Sequence, residues 1–252
     1  MRKSRLLRGA AAALFWLAVW QGLSMAVSSA LVFPSPLDTM QSLVRLASGA
    51  GFWLAAGTSL GRIVAGYAGA VAAGVLLAVA TSALPFAQTL LGPIRSVIKA
   101  TPVVSFILLV ELWLKGNAIP SFIAFLMVLP LVWANVQEAI LATDKKLLEM
   151  ARLFRFGRAK TFRLVYLPSV RPALLAACAT GLGFAWKAGV AAEVLARTGG
   201  SIGNGLIESK NTLETADMFA WTAVVIALSV LLERGLVRLL GRTRGPGKGE
   251  GE

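Results

Sequence analysis

The 252-residue chain has no histidine and a single cysteine. A disulfide framework is thereby excluded, and so is a metal site built from Cys and His. Charge is also scarce. Asp, Glu, Lys and Arg make up 15% of the residues, where a soluble domain averages about 25%. Acidic groups are the rarer sign, 12 against 25 Lys and Arg. No G-x-x-x-x-G-K-S/T run occurs, so the chain has no P-loop with which to bind or hydrolyse ATP. A membrane-embedded enzyme would need clustered acids, bases or nucleophiles near one face; so few acidic residues, mostly in connections, and no His argue against it.

Apolar residues are abundant, 57% of the chain, and they come in runs about a bilayer span long. Six can be drawn: about 9–32, 58–83, 100–115, 120–142, 172–196 and 217–240. Lipid offers no partners to backbone polar groups, so a span is a helix or part of a closed barrel. Barrel strands alternate over about 10 residues, whereas these runs are long and continuous. The sequence therefore predicts an all-α polytopic membrane protein with six transmembrane helices. Residues 1–8 form a cytoplasmic N-terminus, 9–240 a single membrane domain with a cytoplasmic loop at 143–169, and 241–252 a disordered tail. Small residues in the second run (Ala65, Gly69, Ala73; Ala70, Gly74) suit close helix packing in lipid. Cys178 reads as a small buried helix residue.

The net charge of +13 raises nucleic acid as a partner, but position decides against it. With the N-terminus inside, regions 1–8, 84–99, 143–171 and the end from 234 hold 19 of the 25 Lys and Arg. Outside loops hold Arg45, Lys115, Arg197 and Lys210, and Arg62 and Lys187 lie within or near spans. This asymmetry places both termini in the cytoplasm. A rival reading makes the first run a secretory signal ending at Ser28, Ser29 and Ala30. The run is longer than a signal core, and removing it would leave five spans with the termini on opposite sides. Pro34 and Pro36 stop the first helix, and Asp38 is a candidate cap for a short helix after it.

The stretch Glu149 to Pro168, EMARLFRFGRAKTFRLVYLP, is basic and amphipathic. Asp144 caps a helix starting near Lys145, with Leu147, Leu148, Ala151 and Phe154 at helical spacing beside Arg152, Arg155 and Arg158. Gly157 is placed to break this helix. A second piece carries Phe162, Val165 and Tyr166, and Pro168 is expected to end it. Two readings stand: a hairpin lying in lipid headgroups, or one that docks on another protein. Glu149, read as a carboxylate near the helix start, favours docking on a helix N-terminus or a basic partner.

Glu149-Met150-Ala151 followed by Pro168 resembles the EAA motif of binding-protein-dependent ABC importer permeases. FPSPLDTMQSLV, ATPVVSFILL, LLEMARLFRF and YLPSVRPALL resemble its nitrate/sulfonate/taurine branch, so the likeness runs from about residue 10 to 240. The resemblance implies a type I (MetI-like) permease fold in a bacterial cytoplasmic membrane, as a dimer of two copies. It implies a coupling helix around Glu149, Ala151, Phe154, Arg155 and Gly157, with Pro168 beyond, inserted into a separate cytoplasmic ABC ATPase. ATP and Mg belong to that ATPase, and this chain holds neither cofactor nor catalytic residue. A substrate-binding protein outside delivers the solute, a small anion such as nitrate, a sulfonate or taurine; thiamine pyrimidine precursors are carried by related permeases. Met150 and Arg155 depart from the motif. The family's glycine position is Arg155, so the helix break has either moved to Gly157 or Arg155 continues the first helix by half a turn. The rival is a stand-alone secondary transporter or channel, which needs no ATPase.

An ionisable residue within a span is a functional candidate. Lys187 lies about halfway along the fifth run, and Glu193, six residues on, sits on the far side of the helix. Lys187 either faces an anion pathway or pairs with Glu111 or Glu138 on another helix. Trp186, Glu193 and Thr101 are further pathway candidates, although Trp186 also fits plain packing. Pro102 fits a helix start, and Asn135 fits a bond across helices.

Overall fold

The computed structural model describes residues 2–27, 29 and 31–242. Residues 243–252 of the expected tail, and Ser28 and Ala30 of the signal reading, lie outside the described residues. The order is α1 (Arg2–Val27), α2 (Pro36–Ala47), α3 (Ala50–Ala83), α4 (Pro85–Ala100), α5 (Val103–Glu111), α6 (Ala118–Leu141), α7 (Lys145–Leu153), α8 (Arg158–Thr161), a π-turn (Phe162–Tyr166), α9 (Leu167–Leu195), α10 (Ile202–Asn211) and α11 (Thr215–Arg242). Among the described residues, α1, α3, α6, the continuous run α8–α9 and α11 are long and apolar enough to cross a membrane. The pair α4 and α5, bent by 103°, makes a sixth crossing.

Two expected spans change shape. The third was drawn at about 100–115, but α5 alone is nine residues, too short to cross. Its other half is α4, read from sequence as part of a cytoplasmic connection because Pro93, Arg95 and Lys99 dilute its hydropathy. Thr101 and Pro102 form the bend. Thr101 closes α4, its N–H and hydroxyl both donating to the Val97 carbonyl, and Pro102 opens α5. The second span starts at Ala50, eight residues earlier than the apolar run suggested, and Gly57 and Gly61 do not break it.

The core lies where α3, α6 and α9 pack together. Gly66, Ala70 and Gly74 are buried along α3. A Cβ on Gly66 would meet the Ser121 carbonyl of α6, and one on Gly74 would meet Val132. Of the small residues singled out in the sequence, Ala70 and Gly74 hold this seam; Ala65 is exposed and Gly69 only touches the Phe125 ring. Apolar burial drives little in lipid, so close backbone approach and hydrogen bonds carry the packing. The Tyr67 hydroxyl donates to the Cys178 carbonyl (2.9 Å), Trp133 Nε1 to Thr81 Oγ1 (2.9 Å) and Trp186 Nε1 to the Val225 carbonyl (3.0 Å). Each tie fixes one span against another. Asn135 makes no such tie: its amide donates to Leu131 on its own helix.

Outside the core, Ser35 rather than Asp38 is the cap of α2. Asp38 is the reciprocal partner of a capping box, accepting from the Ser35 N–H while Ser35 Oγ accepts from the Asp38 N–H. Arg45 of α2 pairs with Asp217 of α11. Helix α1 touches the rest near its end, where Trp20 Nε1 donates to the Pro34 carbonyl (3.1 Å) and its ring faces Phe219.

Candidate functional site

Helix α7 starts as read: the Asp144 carboxylate accepts from the Lys146 N–H at 2.8 Å. Glu149 is the fifth of its nine residues, exposed at mid-helix and not at the start. The helix ends in a Schellman motif. The Phe156 N–H reaches back to the Ala151 carbonyl (2.8 Å) and the Arg155 N–H to Arg152 (3.0 Å). The left-handed residue in this turn is Arg155, with φ 51°. The break has therefore not moved to Gly157, which has φ −64° and caps α8. Arg155 takes the conformation that glycine adopts without strain, and it does not extend the helix. Arg197 (φ 48°) and Leu213 (φ 60°) terminate α9 and α10 in the same way.

An L-residue in this conformation costs about 1 kcal/mol relative to glycine. Arg155→Gly is therefore expected to raise the thermal midpoint of the purified protein, and Arg155→Val to lower it. An unchanged midpoint for both would show that this turn contributes nothing to stability.

Pro168 does not end the second piece. It lies in the first turn of α9, and the helix runs through it from Arg158 to Leu195. The preceding π-turn absorbs the proline: the Leu167 N–H bonds the Phe162 carbonyl, five residues back, which changes carbonyl positions beneath the ring. The second arm of the hairpin and the fifth span are thus one rod of 38 residues, about 57 Å long at helical rise.

The two faces of α7 differ. Ala151 is buried and Leu148 half-buried against the bundle, with Val165 of the π-turn buried nearby. Leu147, Met150 and Phe154 flank this buried strip and are exposed together with Leu153; Leu153 is 81% exposed and Phe154 67%. Leu147/Met150/Phe154 is an exposed i, i+3, i+7 stripe, to which Met150 and, beside it, Leu153 are added by their exposure. Arg152, Arg155, Arg158, Lys160 and Arg163 of the same stretch are exposed, with Lys160 Nζ 4.1 Å from the Phe156 ring centre. Behind α7, a cavity of about 810 Å³ is lined by Val79, Ser82, Ile140, Arg152, Arg158 and Tyr166, among others.

The family model for binding-protein-dependent transport system inner membrane components matches residues 70–243. The chain belongs to that family. The taurine transport system permease protein TauC of Escherichia coli is 28% identical over 237 residues, 92% of this chain and 86% of its own length. The nitrate import permease protein NrtB of Synechocystis is 24% identical over 244 residues, 91% of this chain and 86% of its own. A crystal structure of an amino acid ABC transporter with histidines shares the fold, with TM-score 0.63 at 16% identity over 79% of this chain and 95% of that one. The chain is an ABC transporter permease of the branch to which those taurine and nitrate proteins belong.

Within this permease the other singled-out residues occupy different environments. Trp186 is buried, packed toward α11 by its indole bond. Glu193 is fully buried in a cluster with Ser59, Arg62 and Gly203. Thr101 forms the bend of the third crossing. Lys187 is exposed on α9, and no ion pair joins it to Glu111 or Glu138.

Proposed function

We propose that this permease forms the translocation path of an ATP-driven importer for a small oxyanion, and that α7 docks a separate cytoplasmic ABC ATPase. The observation that carries the docking is the free surface of α7, where Leu147, Met150, Leu153 and Phe154 are exposed in a stretch that also bears exposed Arg and Lys side chains. Helix-in-groove recognition uses such anchors. Met150 and Phe154 enter an apolar groove, while Arg and Lys meet acidic groups at its rim. The unbroken α8–α9 rod supports the same reading, because it begins three residues after the turn that ends α7 and runs without a break into the fifth span. The chemistry, ATP hydrolysis with Mg, belongs to the partner, and this chain is a non-catalytic subunit.

Two copies complete the path in this reading, and Lys187 then faces the anion or the second copy. A binding protein outside delivers the solute to the end carrying α2 and α10. Both termini lie in the cytoplasm, which agrees with the positive-inside distribution of Lys and Arg. Nitrate, named for one relative, is an oxyanion, and taurine, named for another, is a zwitterion that carries a sulfonate; the shared oxyanion group defines the solute class proposed here.

Reconstitution with the ATPase and binding protein tests this. Import of taurine or nitrate into vesicles is expected only with ATP on the ATPase side. Accumulation at the same rate without ATP or ATPase would establish the stand-alone transporter instead.

A further inference from the structure

The second observation of interest lies in the bent third crossing. Gln88 and Arg95 of α4, seven residues apart and so on one helical face, both reach Gln137 of α6. Arg95 Nη1 donates to Gln137 Oε1 at 2.5 Å, and Gln137 Nε2 donates to Gln88 Oε1. The Arg95 guanidinium carbon lies 5.2 Å from the centre of the Trp133 ring, whose Nε1 is itself fixed by Thr81. Gln137 and Trp133 are buried. The amide orientation is thus set from both ends, and the guanidinium plane is held by a bond and a ring.

No carboxylate takes part. The ion pairs among the described residues are Arg45–Asp217 and Arg62–Glu193, and neither involves Arg95. A neutral amide positions the cation without cancelling its charge. A guanidinium carries five N–H donors in a planar fork that matches an oxyanion, and Gln137 accepts one of them. A permanent ion pair would instead call for Glu at position 137. Arginine within a span faces the bundle interior or an aqueous path.

We propose that Arg95 is an intramembrane contact for the transported oxyanion, with Gln137 and Trp133 as its positioning residues. The ligand class is a small sulfonate, nitrate or similar planar or tetrahedral oxyanion, bound by the remaining N–H groups. This rests on the anion-import reading above. A lipid phosphate offers the same chemistry at the cytoplasmic headgroups, and the test separates the two sources.

The experiment uses the full permease–ATPase complex in proteoliposomes with its binding protein, and taurine, nitrate and bicarbonate as probes. It measures import and ATP hydrolysis together. With the probe that the wild type imports, Arg95→Gln is expected to keep hydrolysis stimulated by loaded binding protein and to lower import per ATP on the order of tenfold, the effect of losing a charge-assisted bond. Arg95→Lys falls between the two. Gln137→Glu is the second variant. It keeps α4 fastened to α6 while neutralising the guanidinium, so it assembles normally and shows the same loss per ATP, even if Arg95→Gln fails to assemble. Wild-type import per ATP in Gln137→Glu overturns the assignment. So does an equal fall of hydrolysis and import in either variant, the signature of a structural or lipid-anchoring cation. If the wild type imports none of the three probes, the anion reading itself fails and takes this site with it.

Discussion

Glu193→Ala is expected to destabilise the protein by about 3–5 kcal/mol, the cost of removing one partner from a buried ion pair. The carboxylate is fully buried between α3, α9 and α10. Its Oε2 accepts from Ser59 Oγ (2.8 Å) and the Gly203 N–H (3.2 Å), and Ser59 Oγ in turn accepts from the Ile202 N–H (2.9 Å). Oε1 lies 4.0 Å from Arg62 Nη1, and neither atom has a hydrogen-bond partner. Alanine strands the guanidinium and the Gly203 N–H together. Glu193→Gln keeps the shape and an acceptor, so its loss is smaller. Arg62→Met in the Glu193→Ala background recovers part of the stability, because the unpaired charge is then gone. Unfolding midpoints in detergent, with limited proteolysis at 196–212, report both the size of the effect and whether α10 detaches first. A Glu193→Ala midpoint equal to wild type would mean that the cluster holds nothing.

Gly66→Ala is expected to cost about 3 kcal/mol, the upper end of the overpacking range. A Cβ built on Gly66 lies 2.0 Å from the Ser121 carbonyl oxygen and 2.8 Å from its carbon. The obstacle is backbone, so no side-chain rotation relieves it, and α3 must move away from α6 along the main seam of the bundle. The same helix supplies its own control. Gly57 and Gly61 have nothing within 4 Å of an added Cβ, so alanine at either gains up to about 1 kcal/mol from helix propensity. Opposite signs at Gly66 and Gly61, read as thermal midpoints and as the yield of monodisperse protein, are the expected pattern. Equal effects would contradict the seam described here.

The all-α architecture was legible in the sequence because apolar runs of span length report directly on lipid. What escaped it depended on tertiary partners. The charges of α4 argued for a loop, and the partners that hold Arg95 are remote in sequence: Gln137, 42 positions beyond it, and Trp133. The cluster that holds Glu193 depends on Ser59, 134 positions away, a pairing that no local spacing reveals. Small-residue spacing identified α3 as a packing helix, yet two registers were open, and the approach of Ser121 selects the one through Gly66, Ala70 and Gly74. At the hairpin, glycine and proline chemistry misled. Gly157 suggested the break, whereas the Schellman hydrogen bonds place it at Arg155, and the π-turn before Pro168 lets the helix continue. The two faces of α7 could not be separated without knowing which one the bundle covers, and that distinction exposes Met150 and Leu153.

The account turns on α7 as a handle held by a separate motor. A photocrosslinking residue placed at Leu153 or Phe154, irradiated in native membranes, tests this most directly. The predicted result is a covalent adduct with the cytoplasmic ABC ATPase from both positions and none from the buried Ala151. Adducts with lipid alone, or with an extracytoplasmic protein, would contradict it.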